Sequence, residues 1–414
     1  MPRMLSGTFA ALENPDFRVL WAGTFLAFIA FFMSTAVQGI VAFNLSGSNS
    51  AVGFVVFAQG LAQLVLGPFG GALADRISKR LVIMACQVVI TAAFLGTAVL
   101  LALDLITLEL LAAGSFLIGS AFSFLGPARQ GLTVEIVGPG LRGNAIALSQ
   151  VALNASRIAG PFGAAAFLAV GAIGPAGAYF GMMTLYVGAL VCTWFVPPTP
   201  VSGGKRPGVL GETLKGIAYV ARTPRIRSLI VAYILVIMAG FPYVSVLPGL
   251  LKNELGRPAS ELTILLMVNA VGGLMASLFV ASLADSPKAQ RIYVAATAVF
   301  GLGLVASGLA PNYWLLAGAM FVVGAGAGGF QTLNGALVSH LTDQAYFGRV
   351  IALTFLAFAA SSVIALPVGF LADAIGERAT VALSGSTVLT IVTVFALGGR
   401  LSRGDGGGAA ASVA

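Results

Sequence analysis

Apolar runs of bilayer length recur along almost the whole chain. They lie near 19–45, 50–73, 81–103, 105–126, 228–250, 262–284, 291–309, 313–338, 349–372 and 379–399. A helix that crosses a bilayer needs about 20 mostly apolar residues. The stretch 144–196 is too long for one crossing, and it breaks at Gly171–Gly177, around Pro175, into two. The spacing predicts an all-α membrane protein of twelve transmembrane helices. Only 9% of the residues are charged, against about 25% in an ordinary soluble chain. A water-facing surface cannot be built from so few charges, so most of the surface must face lipid.

Lysine and arginine orient the spans, because cytoplasmic loops hold the excess of both. With the N-terminus inside, the inner segments carry Arg3, Arg18, Arg76, Lys79, Arg80, Arg129, Arg142, Lys205, Arg206, Lys215, Arg222, Arg225, Arg227, Lys288, Arg291, Arg349, Arg400 and Arg403. The outer segments carry Lys252, Arg257 and Arg378. Such a bias fits an even number of spans with both termini cytoplasmic. The net charge of +8 is scattered between apolar runs with no aromatic-basic stripe, so no nucleic-acid partner is expected. The first apolar run is long and has no small-residue cleavage site, so no cleavable leader is expected.

The segment 197–227 holds six basic residues and reads as a cytoplasmic linker between two six-helix halves, 1–196 and 228–400. Within it, Leu214, Ile217, Ala218 and Ala221 share one side of a helix over Gly211–Thr223, which fits either an interfacial helix or a plain tether. The tail 401–414 is small, polar and expected to be disordered. The halves echo one another. Asn14-Pro15 precedes the first span and Thr223-Pro224 the seventh. Leu73-Ala74-Asp75 recurs as Leu283-Ala284-Asp285, Ile146-Ala147-Leu148 as Ile351-Ala352-Leu353, and Pro161 as Pro367. These matches share nearly one offset and one chain order, as a duplication would leave them. Parallel repeats of this kind place a substrate near the midplane, between the halves.

After the second span the chain reads Gly71-Ala72-Leu73-Ala74-Asp75-Arg76-Ile77-Ser78-Lys79-Arg80. This resembles the loop signature of the major facilitator superfamily, G-x-L-a-D-r-x-G-r-k, with Ser78 in place of the second glycine. The chain looks most like the bacterial drug and siderophore exporter branch, which includes macrolide efflux proteins and the enterobactin exporter. Asn14–Leu20, Gly126-Pro127-Ala128-Arg129 and Gly160-Pro161-Phe162-Gly163 carry that likeness. The last group partly matches an antiporter glycine-proline pattern, with Ala164 where a further glycine is usual. No R-x-x-Q-G pattern occurs in the fourth span, 105–126. The resemblance implies a secondary transporter driven by a proton gradient, without a bound cofactor. It also implies a monomer in the bacterial inner membrane that exports amphipathic small molecules. In it Gly71, Asp75, Arg76, Lys79 and Arg80, echoed by Asp285, form a conformational gate, although the same basic cluster also suits a topology anchor.

A charge inside a span is costly and usually marks function. Arg157 reads as the only basic residue deep in one. Gln150, Asn154, Arg157 and Pro161 fall on one helical stripe, which either lines a substrate cavity or is satisfied by helix-end carbonyls near Pro161. Gln38, Gln63, Asn269 and Gln331 are further candidate substrate contacts or packing amides. Phe28, Phe31 and Phe32 line a cavity or face lipid. Glu109, one turn into the fourth span, is the candidate proton acceptor. Cys86 and Cys192 lie in separate apolar runs and His340 near a span end, so no metal-ligand set or disulfide framework arises. No G-x-x-x-x-G-K-[ST] phosphate loop occurs, and no nucleophile–base set supports a membrane enzyme. Lipid or lysolipid movement, or uniport, on the same fold is the alternative transport reading. A non-transporting sensor lacks any docking domain.

Overall fold

The computed structural model describes residues 9–170, 173–198, 209–284, 286–343 and 346–404, with side chains described for all of these except 71–76, 209–213 and 398–404. Among the described residues there is no strand. The long helices are α1 (Pro15–Ser46), α2 (Asn49–Arg76), α3 (Lys79–Ala102), α4 (Leu108–Val137), α5 (Arg142–Ala169) and α6 (Gly174–Phe195), then a linker helix α7 (Val209–Arg222). They continue as α8 (Pro224–Gly240), α9 (Leu262–Ala281), α10 (Ala289–Leu309), α11 (Tyr313–Leu341), α12 (Phe347–Ile375) and α13 (Glu377–Gly404). Among the described residues, eleven helical segments are long and apolar enough to cross a membrane, counting Pro224–Glu254 as one. α5 has the length but not the apolarity, with Asn154 and Arg157 in its middle.

Local chemistry sets the helix starts. Asn14 caps α1 by accepting from the N–H groups of Asp16 and Phe17 at 3.0 and 3.2 Å, and Pro15 occupies the first helical position. Proline there gives up only an N–H that has no intrahelical partner. Thr223 and Pro224 stand at the same two positions before α8. Gly47 ends α1 with φ +69°, a left-handed turn that a side chain would strain.

Two of the expected span ends differ. α4 does not stop at residue 126: it runs through Pro127 to Val137. Arg129 therefore lies inside a helix and is 8% exposed. It was expected in a connecting segment, with Arg157 alone among basic residues in a span. A proline inside a membrane helix is tolerated where neighbouring helices pack around it. The seventh span is broken. After α8 come a 3-10 segment Phe241–Ser245, one α turn Leu247–Gly249 and a π turn Leu250–Glu254. Pro242 and Pro248 lack the N–H that an unbroken ladder needs.

The fold divides into two compact units. One comprises Met1–Thr213, Ser245–Met267 and Ser362–Asp373; the other Leu214–Val244, Val268–Ser361 and Ala374–Ala414. In the first, α1 packs on α5 and α6, and α2 and α3 pack on α4. Phe43, Phe94, Tyr179 and Tyr186 are fully enclosed there. In the second, α10 packs on α11 and α13. Glycines let α11 touch α9: a Cβ on Gly324 would overlap the Asn269 carbonyl of α9, and one on Gly328 the Gly273 carbonyl. Large apolar side chains such as Phe195, Phe279, Leu309 and Trp314 stand fully outward, a surface suited to lipid and unstable in water.

The linker helix is docked. The Tyr219 hydroxyl donates to Asp343 Oδ2 at 3.1 Å, and its ring stacks on Tyr346 at 4.2 Å. Leu214, Ile217, Ala218 and Ala221 remain on its exposed side.

Candidate functional site

The first unit holds a half-buried aromatic face on α1. Phe28, Phe31 and Phe32 line it, and Phe122 of α4 meets Phe31 at 4.5 Å between ring centroids. Two guanidinium groups rest on it. Arg129 of α4 lies 5.1 Å from the Phe28 centroid, and Arg157 of α5 lies 5.8 Å from that of Phe32. A ring face attracts a cation by about 0.5–2 kcal/mol, more as water is removed. Among the described residues, Arg129 Nη2 finds no hydrogen-bond acceptor.

Gly160 makes this approach possible. A Cβ there would collide with Phe32 Cβ and the Met33 backbone nitrogen. The bare glycine brings α5 against α1 and sets Arg157, one turn earlier, over Phe32. The Ser156 hydroxyl donates to Ala152 O at 2.8 Å and lies 3.4 Å from Phe25 O of α1. Along the α5 stripe, Gln150 is exposed, Asn154 and Arg157 are half-buried, and Pro161 is buried. Gly163 has more room, with Met33 Sδ 3.5 Å from where a Cβ would stand.

The amides divide by role. Gln38 of α1 is 4% exposed and closed into the packing, whereas Gln63 of α2 is half-buried. In the second unit the Asn269 amide donates to Met320 O of α11 at 3.1 Å, and Gln331 to Ala327 O of its own helix at 3.2 Å. Both tie helix backbone, and the Asn269 side chain also hydrogen-bonds the buried Tyr243 hydroxyl. Close by, Phe241, Phe300, Phe330 and Phe358 pack ring against ring.

Of the expected gate, the side chains of Gly71, Asp75 and Arg76, and all of Asp285, lie outside the described residues. Lys79 is buried and ion-paired with Glu135 of α4. Arg80 donates to Trp194 O of α6 and stands 5.8 Å over its ring. Glu135 escaped sequence reasoning because its partner is 56 positions away. Glu109 sits exposed in the first turn of α4, after the cap Thr107. A separate cavity of about 470 Å³ in the first unit is lined by Ile40, Asn44, Lys252, Arg257 and Ser260 among others. Lys252 there lies 5.7 Å over the Phe43 ring, and Arg257 pairs with Glu261 at 2.8 Å.

A family model described as transmembrane secretion effector matches residues 6–409. A segment of 70 residues is 34% identical to the quinolone resistance protein NorA of Staphylococcus aureus; it makes up 17% of this chain and 18% of that one. The match thus spans less than a fifth of that relative. Among solved structures, the nucleoside transporter NupG superposes with a TM-score of 0.76 at 13% identity, over 92% of this chain and 99% of that one. The human organic anion transporter MFSD10 superposes with a TM-score of 0.66 at 15% identity, over 92% and 99%. Likeness at such identities shows the fold alone. With eleven membrane-length apolar helices and a family match over nearly its whole length, this chain belongs to the transmembrane secretion effector family of the major facilitator superfamily, and is a multi-pass membrane transporter.

Proposed function

We propose that the chain exports amphipathic small molecules (drugs, siderophores or similar metabolites) from the bacterial cytoplasm, driven by the proton gradient. In this reading twelve spans form two six-helix halves, 1–196 and 228–400, with both termini in the cytoplasm. The halves alternate access to a site in the bacterial inner membrane, and the protein works as a monomer with no cofactor.

The observation that carries the proposal is the pairing of Arg157 with Phe32 on a half-buried aromatic face. A fixed cation beside apolar rings matches a molecule that has an anionic group and an aromatic or aliphatic body. Such a molecule can take the ring contact from the guanidinium or share it. Asn154, on the same stripe of α5 as Arg157, supplies a neutral hydrogen-bonding group, and half-buried Gln63 of α2 is a further candidate contact. The short stretch of identity to a quinolone resistance protein supports export of drug-like compounds. Glu109 is the proposed proton carrier, with Asp75, Lys79 and Arg80 as the proposed inner gate.

The test uses everted membrane vesicles with a respiration-driven pH gradient. Lipophilic drugs, siderophores and lysolipids are added one by one, with the intact protein and with Arg157→Ala. The expected result is a compound that dissipates the gradient only with the intact protein, about tenfold more weakly in the variant. Movement of labelled compounds without any proton flux would overturn proton antiport and favour uniport or lipid transfer.

A further inference from the structure

The far ends of α2 and α12 are clasped by a carboxylate that no sequence signature marks. The Asn49 N–H donates to Asp373 Oδ1 at 2.7 Å, and the Asn49 side-chain amide donates to the same oxygen at 3.0 Å. The Ser50 N–H donates to Asp373 Oδ2 at 2.9 Å. The next N–H, of Ala51, is taken by the Ser48 hydroxyl at 3.3 Å. Asp373 thus caps the first turn of α2 from 324 positions away in the chain. A carboxylate at a helix N-terminus gains from both its charge and the hydrogen bonds.

The backbones below this cap touch. A Cβ on Gly53 would overlap the Ala365 carbonyl, and one on Gly369 the Asn49 carbonyl. Asn49 and Gly53 lie four apart on α2; Ala365, Gly369 and Asp373 lie four apart on α12, so each set forms one helix face. All these residues belong to the first compact unit, whereas the earlier part of α12 belongs to the second. The start of α12 stands beside the docked linker helix, where Tyr346 stacks on Tyr219. At about 1.5 Å per residue, Asp373 lies some 40 Å further along α12 than Tyr346.

We infer that Asp373, with Asn49, is a gate residue of the transport cycle: its three hydrogen bonds hold the ends of α2 and α12 together on the side opposite the linker, and they break each time that side opens. This rests on the transporter reading above, because only alternating access requires those ends to part. The small residues beneath it give close contact with little interlocking of side chains. The polar cap is therefore the contact whose loss frees the pair.

The experiment reads accessibility, with no need for a substrate. Cys86 and Cys192 are replaced by alanine, and Ala365→Cys, at a position 1% exposed against Gly53, serves as reporter. Intact cells are treated with a membrane-impermeant maleimide. Asp373→Asn, isosteric but unable to accept all three bonds as an anion, is expected to raise the labelling rate about tenfold. Asn49→Ala, which removes one of the three bonds and leaves the backbone donors, is expected to raise it about threefold. An unchanged rate in both variants, at normal protein levels, overturns the proposal. If Asp373→Asn fails to accumulate, Asn49→Ala alone decides by the same criterion. Faster labelling in a protein that moves no compound would leave the clasp standing and remove the export reading instead.

Discussion

The two compact units differ in how their aromatic residues are shared between cations and other rings, although each contains both kinds of contact. In the first, Arg129 and Arg157 each rest on a phenylalanine of α1. In the second, Phe241, Phe300, Phe330 and Phe358 meet one another, with Tyr233 and Tyr293 at the edges of the group. A guanidinium placed in an apolar layer needs partners, and ring faces provide them at little desolvation. A cluster of neutral rings needs only shape. Among the described residues, guanidinium groups resting on phenylalanine therefore lie in the first unit, whereas the second packs phenylalanine on phenylalanine and sets one guanidinium, Arg349, on Tyr346.

The sharpest way to break that division is to attack the tight contacts. Gly324→Leu should abolish nearly all folded protein, since even a Cβ there overlaps the Asn269 carbonyl. Gly163→Ala in the first unit should leave protein levels unchanged, because its Cβ would meet Met33 Sδ at an ordinary 3.5 Å. Fluorescence-detected size exclusion in detergent compares the two. A normal peak from Gly324→Leu would show that glycine contact does not hold the second unit together.

A second comparison separates charge from shape. Arg157→Lys keeps the charge but loses the planar stacking surface, and should reduce flux of an anionic substrate about threefold, against about tenfold for Arg157→Ala. Phe358→Leu in the second unit should change the apparent affinity for all substrates alike, whatever their charge. Flux measured for matched anionic and neutral compounds decides. Equal losses for both compounds in Arg157→Ala would erase the asymmetry.

The smallest effect is expected at Arg80. Its contacts with Trp194 lie at a helix end and are exposed. Arg80→Ala should lower Tm by about 2 °C without affecting substrate preference. A larger fall in a thermal-shift assay would mean that the α3–α6 junction matters more to the first unit than its aromatic face.

Much of the fold is legible in the sequence because each span carries its own signal. Apolar length placed the helices, and Asn14-Pro15 and Thr223-Pro224 marked the starts of α1 and α8. The stripe from Gln150 to Pro161 gave the polar side of α5. Other features have no local signal. Arg129 looked like a loop residue because Pro127 reads as a stop, whereas α4 continues through it, packed on α2 and α3. Glu135 and Asp373 are ordinary helix-end carboxylates until their partners, 56 and 324 positions away, are in place. The gate signature names Asp75, but its side chain is not among those described.

The helix lengths also bear on the membrane this protein can occupy. α9, α10 and α6 have 20, 21 and 22 residues, which at 1.5 Å per residue span about 30–33 Å, the hydrocarbon depth of a common bilayer. α1 and α4 have 32 and 30 residues, about 15 Å more than that depth requires. The short helices therefore fix the thickness of lipid that fits, and the long ones must tilt or project into the headgroup layer. Measured from Leu108, the excess in α4 begins near Arg129 and includes Glu135. The Lys79–Glu135 pair then lies among lipid headgroups, within reach of salt and of the surface charge of the leaflet.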